Sequence, residues 1–120
     1  MQDLLTWVGM TVIAVILAIV GPMKLQYASY VERRGSAWAR DVGPARTRLI
    51  GVMEIVIAIG IFWPLAVHAD PWLSVGALLA AAVLFFGACW LHGRRAEREM
   101  AGVTGLLGVL ALTCVWGVVY

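Results

Sequence analysis

The chain has 120 residues, 62% of them hydrophobic and only 13% charged, with a formal net charge of +2. A soluble domain carries about 25% charged residues, and one this small cannot hide so much apolar surface from water. The balance argues against an ordinary soluble enzyme and leaves lipid as the solvent.

A membrane-crossing helix needs about 20 mostly apolar residues, and four segments qualify in chain order. The first runs over about residues 4–23. It follows Met1-Gln2-Asp3, which lacks a positive n-region, so it reads as a retained helix rather than a cleavable signal. A loop over 24–48 comes next. Its first part, Leu25 to Arg34, is amphipathic enough to lie along the membrane as a short helix, with Gly35 as its stop. Gly43-Pro44 marks a second turn. The second span covers about 49–67 and turns tightly through His68-Ala69-Asp70-Pro71 into the third, about 72–92. A short charged loop over 93–100 leads to the fourth span, about 101–120. Residue 2 is Gln and the chain ends Val118-Val119-Tyr120, so no lipidation motif is visible. The expectation is an all-α integral membrane protein: one transmembrane domain, an up-down bundle of four transmembrane helices.

Charge orients it. Of the nine Lys and Arg residues, Lys24, Arg33, Arg34, Arg40, Arg46 and Arg48 lie between spans one and two, and Arg94, Arg95 and Arg98 between spans three and four. All nine thus fall on one side, which the positive-inside rule makes cytoplasmic, with both termini outside. The chain is expected in the cytoplasmic (inner) membrane. Trp7, Trp63, Trp72, Trp116 and Tyr120 map to the outer interface, and Trp90 to the inner one. Tyr27, Tyr30 and Trp38 fall in or beside the inner loop, completing a two-belt pattern of interfacial anchors. Basic loops beside a bilayer set topology and touch anionic lipid, so the partner implied is the bilayer and not nucleic acid.

Small residues should carry the helix contacts. They are Gly51, Ala58 and Gly60 in span two, Gly76, Ala77, Ala80, Ala81, Gly87 and Ala88 in span three, and Gly102, Gly105 and Gly108 in span four. Intramolecular packing is the plain reading; a docking face for another membrane protein is the alternative.

Few polar residues could carry chemistry. Glu54 lies about five residues inside span two, roughly 8 Å deep. A carboxylate there is costly unless neutralised or paired, which makes it a functional hypothesis by default. Lys24 and His92 close spans one and three at the same side, so the three could converge, and a Lys24–Glu54 ion pair would offset desolvation of both. Such a cluster either locks helices together or lines a site. One Glu and one His without a second acid do not make a metal site, so no metal and no cofactor are expected. Cys89 and Cys114 differ in depth by roughly 15 Å, whereas a disulfide needs Cα atoms within about 7 Å; no disulfide is expected, and both read as packing residues. Ser36, Ser74, Thr104 and Thr113 are isolated hydroxyls, expected to bond to nearby backbone or neighbouring helices. No phosphate loop, Gly-x-Ser-x-Gly or His-Glu-x-x-His is present, and nothing else points to an enzyme.

Three stretches together resemble a known family. Gly21-Pro22-Met23-Lys24-Leu25 ends the first span. Ile50-Gly51-Val52-Met53-Glu54 opens the second, followed by Ala58, Gly60 and Pro64. Gly87-Ala88-Cys89-Trp90-Leu91-His92 ends the third, before Arg94-Arg95. In order and spacing this resembles the DoxX-like family of small bacterial four-helix membrane proteins, over nearly the whole chain. The family's Lys, Glu and His carry over onto Lys24, Glu54 and His92. Such chains often end the fourth span near a Gly-Arg pair, whereas this one ends Trp116-Gly117-Val118-Val119-Tyr120. The resemblance implies the four-helix fold and, for some members, partnership in membrane oxidoreductase assemblies.

Three functions follow as expectations. The first is a non-catalytic accessory or regulatory subunit of a larger cytoplasmic-membrane complex, such as a lipid or solute transporter or a respiratory assembly. The second is a lipid- or quinone-binding protein or enzyme using Lys24, Glu54 and His92 at the inner leaflet. The third, a proton-coupled small exporter, ranks last because span one carries no acid between Leu4 and Met23.

Overall fold

The structure, a computed structural model, describes residues 3–34 and 37–120. Gly35 and Ser36 lie outside the described residues, and with them the stop expected at Gly35. Among the described residues the chain forms α1 (Leu4–Leu25), α2 (Tyr27–Arg34), α3 (Ala37–Val42), α4 (Pro44–Ala66), α5 (Trp72–Arg94) and α6 (Arg98–Val119), with no strand. Four of these, α1, α4, α5 and α6, are long and apolar enough to cross a membrane. At 22 or 23 residues each they span about 33 Å, matching a hydrocarbon core of about 30 Å.

Local chemistry sets their ends. Asp3 caps α1: its Oδ1 accepts the Thr6 N–H at 2.8 Å, and that bond holds the Asp3 carboxyl below its ordinary range. Gly43 has φ +88° and Pro44 follows as the first residue of α4, so glycine supplies the left-handed turn and proline a preset helical φ. Asp70 Oδ1 accepts the Trp72 N–H at 3.0 Å where α5 begins. The loop after α5 closes through Ala96, left-handed at φ +57°, which lets the Glu97 N–H reach back to His92 O at 2.9 Å as in a glycine-type helix stop.

Two helices begin earlier than their apolar stretches. α4 starts at Pro44 rather than near 49, and α6 at Arg98 rather than near 101. Hydropathy marks the slab that lipid covers, while a helix can run on into the polar region. The 24–48 segment also holds a helix not anticipated, α3.

The four long helices form a ring in chain order, α1 against α4, α4 against α5, α5 against α6, and α6 back against α1. The core is apolar: Met10, Ile13, Ile61, Leu78, Ala81 and Ala111 are fully enclosed. Most of the outward surface is equally apolar, with Leu5, Val83 and Leu106 more than two-thirds exposed, as expected where lipid is the solvent. Trp63, Trp72, Trp90, Trp116 and Tyr120 also face outward. Ser74 Oγ donates to Ile61 O at 2.8 Å, tying α5 to α4, while Thr104 and Thr113 donate to carbonyls one turn back in their own helix.

The α1–α4 crossing sets glycine against glycine, backbone to backbone. A Cβ at Gly51 would lie 2.6 Å from Gly21 O and 3.0 Å from Lys24 Cβ; one at Gly21 would lie 2.8 Å from Gly51 O. By contrast Gly76, Gly87 and Gly102 have nothing within 4 Å of such a Cβ, so these three do not serve the intramolecular packing expected of them. We expect Gly51→Ala to destabilise the bundle by about 1–3 kcal/mol, because backbone must move, and Gly87→Ala to stay within about 0.5 kcal/mol of wild type. Thermal unfolding in detergent, followed by circular dichroism, checks both.

Candidate functional site

Lys24 lies in the last turn of α1 and Glu54 sits one turn beyond Gly51 on α4, so the glycine crossing delivers the two side chains to each other. Lys24 Nζ donates to Glu54 Oε1 in an ion pair whose side chains are about nine-tenths buried. Glu54 Oε2 is sealed from open space and has no hydrogen-bond partner. The ammonium also lies 5.5 Å from the ring centroid of Trp38 on α3, within cation–π range. Trp38 in turn meets Tyr30 of α2 edge-on at 5.9 Å.

Tyr30 and Trp38 are therefore not lipid anchors. Both are more than nine-tenths buried and form, with Ala39, a small second core beneath the bundle that Met23, Ile50 and Leu91 complete. The folded 24–48 segment turns these rings inward. Tyr27 OH donates to Ala39 O at 3.1 Å, and Thr47 Oγ1 to Gly43 O at 2.8 Å, fastening the segment to the start of α4.

His92 is buried at the end of α5 but bonds elsewhere. Its Nδ1 donates to Glu97 Oε2 at 2.7 Å, an assignment that follows because an ionised carboxylate only accepts. Glu97 Oε1 accepts from Arg95 Nε at 3.0 Å, and Arg95 Nη1 pairs with Asp41 of α3. The His92 and Arg95 hydrogen bonds hold the Glu97 carboxyl below its ordinary range, and those from Arg95 to Asp41 and Glu97 raise the guanidinium further. The chain His92–Glu97–Arg95–Asp41 thus clasps α3 to the α5–α6 turn.

Lys24, Glu54 and His92 nevertheless share one cavity of about 740 Å³, within the range of small-molecule sites. Its walls are apolar, from Ile16 and Val20 of α1, Leu84 and Leu91 of α5, and Val103 and Leu107 of α6; its polar end also holds Tyr30, Trp38, Glu97 and Thr104. At the other end of the molecule α1 and α6 close on each other: Gly9 lies against Cys114 and Leu110, and Gly117 against Thr6. The two cysteines are free. Cys114 sits at that closed end and Cys89 beside Gly105. Among the described residues no group of three or more His, Cys, Asp or Glu side chains could hold a metal ion.

Sequence reasoning missed Tyr30, Trp38, Glu97 and the Asp41–Arg95 pair. Two aromatic residues in an otherwise polar loop, and an acid five residues past a helix-ending His, were the signals available.

An all-helical ring with an ion pair at one end of an intramembrane cavity defines a small multi-pass membrane protein. The chain matches the DoxX-like family over residues 8–116, and it belongs to that family. No curated protein and no solved structure matches it.

Removing one partner of a buried pair strands the other charge. We expect Lys24→Met to cost about 3–5 kcal/mol, and the double variant Lys24→Met/Glu54→Gln to recover most of that loss. Thermal unfolding of the two variants side by side, in one detergent, measures the difference.

Proposed function

We propose that this protein binds a membrane-soluble amphiphile, a lipid or a quinone, with its head group at Lys24, Glu54 and His92 and its chain along the apolar walls. One observation carries this reading. The cavity runs between apolar helices and ends on a buried ion pair, one of whose carboxylate oxygens has no partner. A pair that only fixed helix register would have no need of an adjoining cavity. The basic loops face the cytoplasm in this reading, since all nine Lys and Arg residues of the sequence fall in the 24–48 and 93–100 stretches, and the chain resides in the cytoplasmic membrane. The head group then sits at the inner-leaflet level.

A second reading, an accessory subunit of a larger membrane complex, is supported by Gly76 and Gly102, whose surroundings are open. Glycines on lipid-facing surfaces allow a partner's backbone to come close. The two readings are compatible, because a subunit can carry a bound lipid.

Two measurements test them. Protein purified in mild detergent is extracted with solvent, and the extract is analysed by mass spectrometry. We expect one amphiphile at near-stoichiometric amount, lost from a folded Leu84→Trp variant in which the indole fills the cavity; a lipid profile unchanged by that substitution would sink the binding reading. Mass spectrometry of co-purifying proteins addresses the subunit reading, which fails if the protein isolates alone or with itself. For topology, a C-terminal alkaline phosphatase fusion should be active and a C-terminal green fluorescent protein fusion dark; the reverse pattern would place the basic loops outside.

A further inference from the structure

The polar end of the cavity carries more information than its depth. Lys24 is already engaged by Glu54, and Arg95 by Asp41 and Glu97. Two cations thus meet three carboxylates, with His92 donating to the third. The arginines Arg40, Arg46, Arg48, Arg94 and Arg98 are exposed and do not line the cavity. Among the described side chains, an anionic head group entering here would find no uncommitted positive charge and would lie beside the Glu54 carboxylate, a like-charge contact in a low-dielectric site.

Hydrogen-bond capacity narrows the class further. Glu54 Oε2 accepts nothing, and the terminal torsion of a glutamate is soft, so the carboxylate can turn this oxygen toward a donor. Among the described residues the Tyr30 hydroxyl and the Trp38 indole N–H are engaged only through their rings, which leaves both as donors at the cavity floor. A hydroxyl satisfies both sides, donating to Glu54 and accepting from Tyr30 or Trp38. A carbonyl or ester can only accept, and leaves Glu54 Oε2 as it is.

Resting on the binding reading above, we infer that the cavity selects an uncharged, hydroxyl-bearing amphiphile, of the long-chain alcohol or diacylglycerol kind, and discriminates against an anionic head group on the same chain. Lys24 and Glu54 act as a compensated pair that sets this preference; neither alone would give it.

Three matched probes test the inference: doxyl-labelled stearyl alcohol, methyl stearate and stearate, added to the full-length protein in nanodiscs of zwitterionic lipid. The readout is the saturable quenching of tryptophan fluorescence that disappears in Trp38→Phe. In the wild type the alcohol should bind about tenfold or more tighter than the ester, the worth of one hydrogen bond to a charged acceptor, and tighter than stearate. In Glu54→Gln the order of alcohol and stearate should invert, because Lys24 then faces the cavity uncompensated. Equal binding of alcohol and ester, or stearate binding the wild type as tightly as the alcohol, overturns the inference while leaving a lipid site in place. No saturable quenching by any probe removes the site itself. Should Glu54→Gln fail to fold, the wild-type ranking of the three probes still decides.

Discussion

Burying a charge away from water is the constraint on which the rest of this structure turns. An unpaired lysine or glutamate inside hydrocarbon is expensive, so Lys24 and Glu54 must reach each other, and they must do so across two helices. Their meeting depends on backbone proximity that only glycine permits. Gly21 and Gly51 face each other where any side chain would strike a carbonyl, and Gly51 stands directly against the Lys24 stem. The Gly-x-x-Lys and Gly-x-x-Glu stretches are therefore one device read on two helices: the glycines set the crossing, and the crossing sets the pair.

Around that pair the 24–48 segment behaves as part of the domain rather than as a connector. α2 and α3 bring Tyr30 and Trp38 under the bundle, and the aromatic face of Trp38 shares the Lys24 ammonium with Glu54. The clasp from Asp41 through Arg95 and Glu97 to His92 joins this floor to the opposite side of the ring. His92 thus contributes to the cavity as a wall whose ring orientation is held from outside it, which differs from a direct three-way cluster with Lys24 and Glu54.

The four long helices were legible because hydrophobic length is a one-dimensional quantity: runs of some twenty apolar residues can be counted. Lys24 and Glu54 were legible for a related reason, since a charge inside such a run is conspicuous and its nearest opposite charge at the same depth is a natural partner. The short helix over Tyr27–Arg34 and the turn at Gly43-Pro44 were legible too, but most of what else depends on the path of the chain outside lipid escaped. Pro44 to Arg48 is polar yet helical, so counting apolar residues started α4 late. Trp38 and Tyr30 have the composition of interfacial anchors, and only the fold of their segment turns them inward. The true partner of His92 is Glu97, an acid in the adjoining turn that Ala96, by going left-handed, swings into reach. Likewise, small residues could be named as packing candidates, but which glycines meet a neighbour and which meet open space depends on helix rotation.

The unequal seam between α1 and α6 has a consequence for supply. Near the chain termini the two helices interlock through Gly9, Cys114, Thr6 and Gly117, whereas toward the opposite end Ile16, Val20, Val103 and Leu107 stand around the void. An occupant of the proposed kind would thereby be confined to one half of the bilayer's thickness. If the binding proposal holds, its filling would follow the composition of a single leaflet, and a change in lipid asymmetry across the membrane would register here even when the total lipid content of the cell stayed constant.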